Sequence, residues 1–70
     1  MKLSARNQLK GKIKDITPGA VSAIVKIDIG GGHIVTSSIT NEAAQELGLK
    51  KGKAVFAVIK ASDVMIGVKD

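Results

Sequence analysis

Two short polar segments carry a concentration of hydrogen-bond donors in this sequence: Ser4-Ala5-Arg6-Asn7 near the amino end and Lys60-Ala61-Ser62 near the carboxyl end. Each combines a cation, a hydroxyl and turn-like backbone N–H groups. A fully ionised tetrahedral oxyanion accepts hydrogen bonds and donates none, so a shell of such donors suits it. A frayed terminus and a solvated turn account for the same composition. The two segments lie at strand edges, one before the first strand and one between the last two.

Other chemistry is poorly supplied. With one His, no Cys, and Ser, Asp and Glu in no nucleophile–base or paired-carboxylate arrangement, no general base has an evident partner, and no enzyme is expected. His33 reads as a solvated loop residue, because one imidazole makes a poor metal site. Gly30-Gly31-Gly32 lacks the Lys-Ser/Thr pair and following helix of a phosphate-binding loop, so a hairpin is the expectation. Lys10, Lys12 and Lys14 form a basic row that makes nucleic acid a competing partner. Small barrels that read single strands stack bases on aromatic side chains, each worth roughly 1–3 kcal/mol. Phe56 is the only aromatic here. Phosphate contacts alone would give weak, salt-dependent binding without sequence specificity.

Seventy residues make one domain, 1–70. Of the hydrophobic 44%, sixteen residues are Val or Ile and eight are Ala, which favours strands and a core of thin side chains. At this size, apolar burial at ~25 cal/mol/Å² roughly cancels an ordering cost of ~1.5 kcal/mol per residue. Neither a disulfide nor a structural zinc site can be assembled, which leaves self-association as the common remedy. No apolar run is long enough to span a bilayer and Met1–Gln8 has no apolar stretch, so neither a membrane partner nor a secretory signal is expected, and the reading is cytoplasmic. A net charge of +5 favours an anionic partner.

The elements that must position the two segments follow from period and punctuation. Gln8–Thr17 alternates, with Leu9, Gly11 and Ile13 opposite Lys10, Lys12 and Lys14, as a strand with one wet face does. Thr17-Pro18-Gly19 ends it. Ala20–Ile29 presents Val21, Ala23, Val25, Ile27 and Ile29 on one face, while Ile24 falls on the polar side and marks a second contact surface. Three glycines then lead into a strand over His33–Ile39. Thr40 is placed to cap a two-turn helix with Ala43, Ala44 and Leu47 on one side, and Gly48 to stop it. Ala54–Ile59 runs apolar without alternation, as a strand buried on both faces would. Val64–Val68 supplies a fifth strand, with Val64, Ile66 and Val68 sharing a face. The class is all-β: an OB-fold, a five-stranded Greek-key barrel with one short helix between strands 3 and 4.

The blocks Ser4-Ala5-Arg6-Asn7-Gln8-Leu9-Lys10-Gly11, Gly31-Gly32, Glu46-Leu47-Gly48-Leu49 with Gly52, and Ala57-Val58-Ile59-Lys60-Ala61-Ser62-Asp63-Val64-Met65-Ile66 occur in an order that resembles the molbindin (Mop-type) family. Related domains are the transport-associated OB (TOBE) modules of molybdate transporter ATPases and molybdate-responsive regulators. The resemblance implies an OB barrel assembled as a homo-oligomer, a hexamer built as a trimer of dimers with exchanged strands. It implies molybdate or tungstate bound at subunit interfaces as the oxyanion, with no cofactor and no protein ligand on the metal itself. Storage, buffering or homeostasis inside the cell is the implied role.

Carried over residue by residue, Ser4–Asn7 of one subunit would meet Lys60–Ser62 of another around one anion. Arg6 and Lys60 would supply charge, Ser4 and Ser62 hydroxyl donors, and Ala5, Asn7 and Ala61 main-chain N–H groups. Some relatives carry a hydroxyl residue at the position of Ala61, so its share here is reduced to backbone. A second class of site in the family maps onto Gly19, Val21, Ser22 and Ser37. Besides the nucleic-acid reading, an anion-sensing module that docks on a partner protein is a further alternative.

Overall fold

Strand 1 is long enough to serve two neighbours, and the sheet is organised by that fact. In the computed structural model, which describes residues 1–69, β1 spans Asn7–Pro18, β2 Ser22–Gly30, β3 His33–Thr40 and β4 Ala54–Ile59. The sheet is antiparallel in the order β3-β2-β1-β4. The first half of β1 pairs with β4, from Asn7↔Ile59 to Lys12↔Ala54, and the second half with β2, from Lys12↔Asp28 to Pro18↔Ala23. The ladder with β2 slips between Ile13 and Asp15, which leaves Lys14 as a bulge residue. The slip turns both Ile13 and Ile16 towards the core and bends the strand where it changes partner. Strict alternation over Gln8–Thr17, expected from the sequence, is broken there.

Gly11 sits at the same crossing. A Cβ built on it would lie 2.5 Å from the carbonyl oxygen of Asp28 and 2.9 Å from Ile27 Cγ2. Since the first neighbour is backbone, Gly11→Ala is expected to cost about 1–3 kcal/mol, as other overpacking substitutions do. Urea unfolding at one fixed protein concentration measures it.

The glycine hairpin forms as expected. Gly30 pairs with His33 across the two-residue turn Gly31-Gly32, and all three glycines have positive φ. Asp28 Oδ1 accepts from the Gly30 N–H at 2.8 Å, and the β2–β3 register shifts between the two residues. A helix, α1, covers Asn41–Glu46, and Thr40 Oγ1 caps it by accepting from the Ala43 N–H at 3.0 Å. Gly48, at φ 61°, turns the chain away, and Lys53 Nζ donates to the exposed helix-end carbonyls of Leu47 and Gly48 at 2.7 and 3.2 Å. Leu47 itself is exposed, contrary to its expected place beside Ala43 and Ala44; Leu49 takes the inward position instead.

The core is small. Ile13, Val25, Ile27 and Ala57 are buried together, Ala23 is buried as well, and Ala23 and Val25 are the most enclosed at 1% and 2% exposure. Two expectations change here. β4, with the boundaries the sequence predicts, is an edge strand and not a strand buried on both faces: Phe56 and Val58 are 49% and 43% exposed. The fifth strand does not form. Val64–Lys69 pairs with no element among the described residues, and Met65, Ile66 and Val68 are 93%, 92% and 88% exposed. The radius of gyration, 12.9 Å, exceeds the roughly 11 Å of a compact chain of this length, as a projecting tail requires.

The architecture is therefore the all-β, OB-type one, with four strands in the sheet and a seam left open. No ladder joins β3 to β4. Between them lies a groove of about 410 Å³, lined by Val35–Ser38 on one side and Phe56–Ile59 on the other. An apolar hollow of about 350 Å³ opens at the helix end, between Ile13, Val25, Ile27, Leu49 and Phe56. Ile24, 40% exposed, lies on the outer surface as its position in the pattern implied.

Candidate functional site

The β1–β4 ladder ends at Asn7↔Ile59, and the two chain segments that continue beyond it are the two donor-rich segments of the sequence. Asn7 closes the ladder with its side chain, Nδ2 donating to the Ile59 carbonyl at 3.3 Å. On one side the chain is steadied by Gln8 Nε2, which donates to the Ala5 carbonyl at 3.3 Å. On the other, Ala61–Asp63 forms a single 3₁₀ turn, held by Asp63 N–H to Lys60 carbonyl at 2.9 Å and Val64 N–H to Ala61 carbonyl at 3.2 Å. Such a turn leaves the N–H groups of Ala61 and Ser62 without acceptors inside it.

Ser4, Ala5, Arg6, Lys60, Ala61 and Ser62 together line a cavity of about 490 Å³. Two residues with cationic side chains and two with hydroxyls line it, and none of the six is acidic. An anion there would meet donor side chains and no carboxylate. Within one chain both segments already border this cavity. The Asn7 side chain closes the ladder beside it.

The residues mapped to a second class of site are not gathered in one place. Gly19–Ser22 forms a tight turn, with the Gly19 N–H donating to the Ser22 carbonyl at 2.8 Å. Ser22 pairs with Thr40, whereas Ser37 pairs with Val25 further along and lines the β3–β4 groove. The residue that organises this turn is Asn41, which sequence reasoning passed over. Its N–H donates to the Val21 carbonyl at 2.8 Å and its Nδ2 to the Gly19 carbonyl at 2.9 Å. Its Oδ1 is buried without a partner. Only the adjacency of an Asn to the helix cap could have pointed to it.

His33 is exposed at the hairpin, and among the described residues no cluster of three or more His, Cys, Asp or Glu side chains could hold a metal ion. Lys10 and Lys12 are exposed on the outer face, cross-strand from Phe56 and Ala54. No helix is long and apolar enough to cross a membrane.

Comparison with known proteins bears on this geometry. The TOBE domain profile matches residues 3–66. A probable molybdenum-pterin-binding protein of Haemophilus influenzae is 55% identical over 69 residues, covering 99% of this chain and all of the relative. The solved structure of MopII from Clostridium pasteurianum superposes with a TM-score of 0.89 at 46% identity, over 96% of this chain and all of the other. The cytoplasmic molybdate-binding protein ModG, in a crystal form with molybdate bound, gives a TM-score of 0.93 at 52% identity, over 99% of this chain and 49% of that one. Such relatives are described as binding proteins and not as enzymes. With a profile match over nearly its whole length and relatives this similar from end to end, the chain belongs to the TOBE domain family, among its molbindin (Mop-type) members.

Proposed function

We propose that this protein binds molybdate, or tungstate, as the intact oxyanion and without catalysing a reaction, as an oligomer of identical chains in the cytoplasm. One observation carries the reading: the strand ends bring Arg6, Lys60, Ser4 and Ser62 around one cavity with no acidic side chain in its wall. The molybdate-bound form of the relative ModG supports the choice of anion. Phosphate is disfavoured because, partly protonated near neutrality, it would present a donor to a shell of donors. Sulfate has the same charge as molybdate and is the rival that binding measurements must separate from it.

What one chain leaves uncovered supports the oligomer. The tail Val64–Val68 carries an apolar face and no pairing, while the seam between β3 and β4 offers two free strand edges over a groove that includes Ile27, Val35 and Ala57 beside hydroxyl residues. A tail from a second copy, laid in that seam, would complete the five-stranded barrel and pair the exposed edges. A hexamer formed as a trimer of such dimers is the assembly proposed. An anion bound only by the assembled form, at 100 times its Kd, would stabilise it by about 2.7 kcal/mol per independent site. Buffering of the free anion is the role this linkage fits.

Titration calorimetry with sodium molybdate, sodium tungstate and sodium sulfate at matched ionic strength tests the anion. Saturable heat is expected with the first two, and binding at least about tenfold weaker with sulfate. No heat from molybdate, or equal affinity for sulfate, would overturn the proposal.

A further inference from the structure

The anion cavity and the tail share a hinge. The cavity wall formed by Lys60, Ala61 and Ser62 is the same turn from which the tail departs, with only Asp63 between Ser62 and the first tail residue, Val64. Before the turn, Ile59 is fixed by its pairing with Asn7 and by the Asn7 side-chain bond to its carbonyl. A swing of the whole tail from its base is therefore made within residues 60–63. That stretch is lightly held: two main-chain hydrogen bonds, the longer at 3.2 Å, and no side-chain cap. The opposite wall, Ser4–Arg6, is continuous with β1 and steadied by Gln8.

We propose that an oxyanion in this cavity, by bridging Ser4–Arg6 to Lys60–Ser62, locks the hinge and so slows the exchange of tails between copies of the chain. The inference rests on the anion and oligomer readings above and goes beyond them, since it concerns the rate of exchange and not the assembly itself. Swapping a tail from one partner to another requires the turn to swing, and the swing separates donors that a bound anion holds together. Only chains with an empty cavity exchange. At 100 times Kd about 1% of cavities are empty, so exchange should fall by about a hundredfold.

The experiment mixes full-length unlabelled and ¹⁵N-labelled protein and follows mixed oligomers by native mass spectrometry. The temperature is set so that anion-free protein equilibrates within an hour. Parallel samples contain molybdate at 100 times the calorimetric Kd, or sodium chloride at equal ionic strength. The expected result is mixing about a hundredfold slower in molybdate, with a concentration dependence that tracks occupancy. In the Lys60→Ala protein, the molybdate concentration that half-slows mixing should rise together with the Kd. Molybdate binding by calorimetry with unchanged mixing would overturn the lock and leave the binding reading intact. Slowing at the same concentration in Lys60→Ala, despite a weakened Kd, would also overturn it. Absence of calorimetric binding, or a protein that is monomeric in both samples, would instead remove the anion or oligomer reading on which it stands.

Discussion

Replacing Ile66 by Asp is expected to dissociate the assembly while leaving the single-chain fold almost untouched. In one chain Ile66 is 92% exposed, and a substitution at such a position ordinarily changes stability by no more than about 0.5 kcal/mol. In the exchanged dimer proposed above, the same side chain would lie on the tail face shared with Val64 and Val68, against the floor of the β3–β4 seam. Burying one Ile is worth about 2 kcal/mol, and a symmetric pair contains two tails. The loss of about 4 kcal/mol corresponds to roughly a thousandfold in the dimer dissociation constant. Sedimentation velocity over a dilution series measures it, with circular dichroism to follow the fold. Met65→Lys, one position along and on the opposite face of an extended tail, is the control and should shift association far less. An Ile66→Asp protein that assembles as tightly as the parent would remove the tail from the interface.

Arg6→Ala and Lys60→Ala are each expected to weaken molybdate binding by roughly ten- to a hundredfold. A hydrogen bond to a charged group contributes about 1.5–3 kcal/mol, and 1.4 kcal/mol is a factor of ten. Both side chains are exposed and neither pairs in the sheet, so unfolding in the absence of anion should move by less than about 0.5 kcal/mol. Arg6→Lys keeps the charge but loses the planar fork, and should fall between parent and Arg6→Ala. Because the cations are open to solvent, the affinity of the parent should decline with added sodium chloride. Calorimetry of the three variants with molybdate, paired with thermal unfolding, separates a site effect from a fold effect. Unchanged affinity in both alanine variants would move the site elsewhere on the protein.

Much of the fold could be read locally because the signals that set it are local. The boundaries of β4 follow from an unbroken apolar run between a lysine-rich turn and a polar turn. The Thr40 cap and the Gly48 stop are properties of four or five consecutive residues, and both are found where they were expected. The hairpin at Gly31-Gly32 needs positive φ at both central positions, which glycine supplies without strain.

The departures share a different cause. The bulge at Lys14 depends on which partner lies across from β1 at that point, and β1 changes partner within its own length. The exposure of β4 depends on its place at the edge of the sheet, which an apolar run does not encode. The tail reads as a strand because its side chains alternate, but a strand exists only where another edge pairs with it, and no edge of the same chain reaches Val64–Lys69. Asn41 was passed over because its work is done on carbonyls about twenty residues upstream.

From the order of residues alone came the donor chemistry of Ser4–Asn7 and Lys60–Ser62, the all-β class, the thinness of the core and the family likeness, since each depends on side-chain types or on neighbours within one element. The folded chain decided that both donor segments sit side by side at one end of the β1–β4 ladder, that the Asn7 side chain closes that ladder, and that the tail leaves from the cavity's own rim. Those outcomes depend on antiparallel register, which brings together residues more than fifty positions apart and is fixed by pairing across the whole sheet.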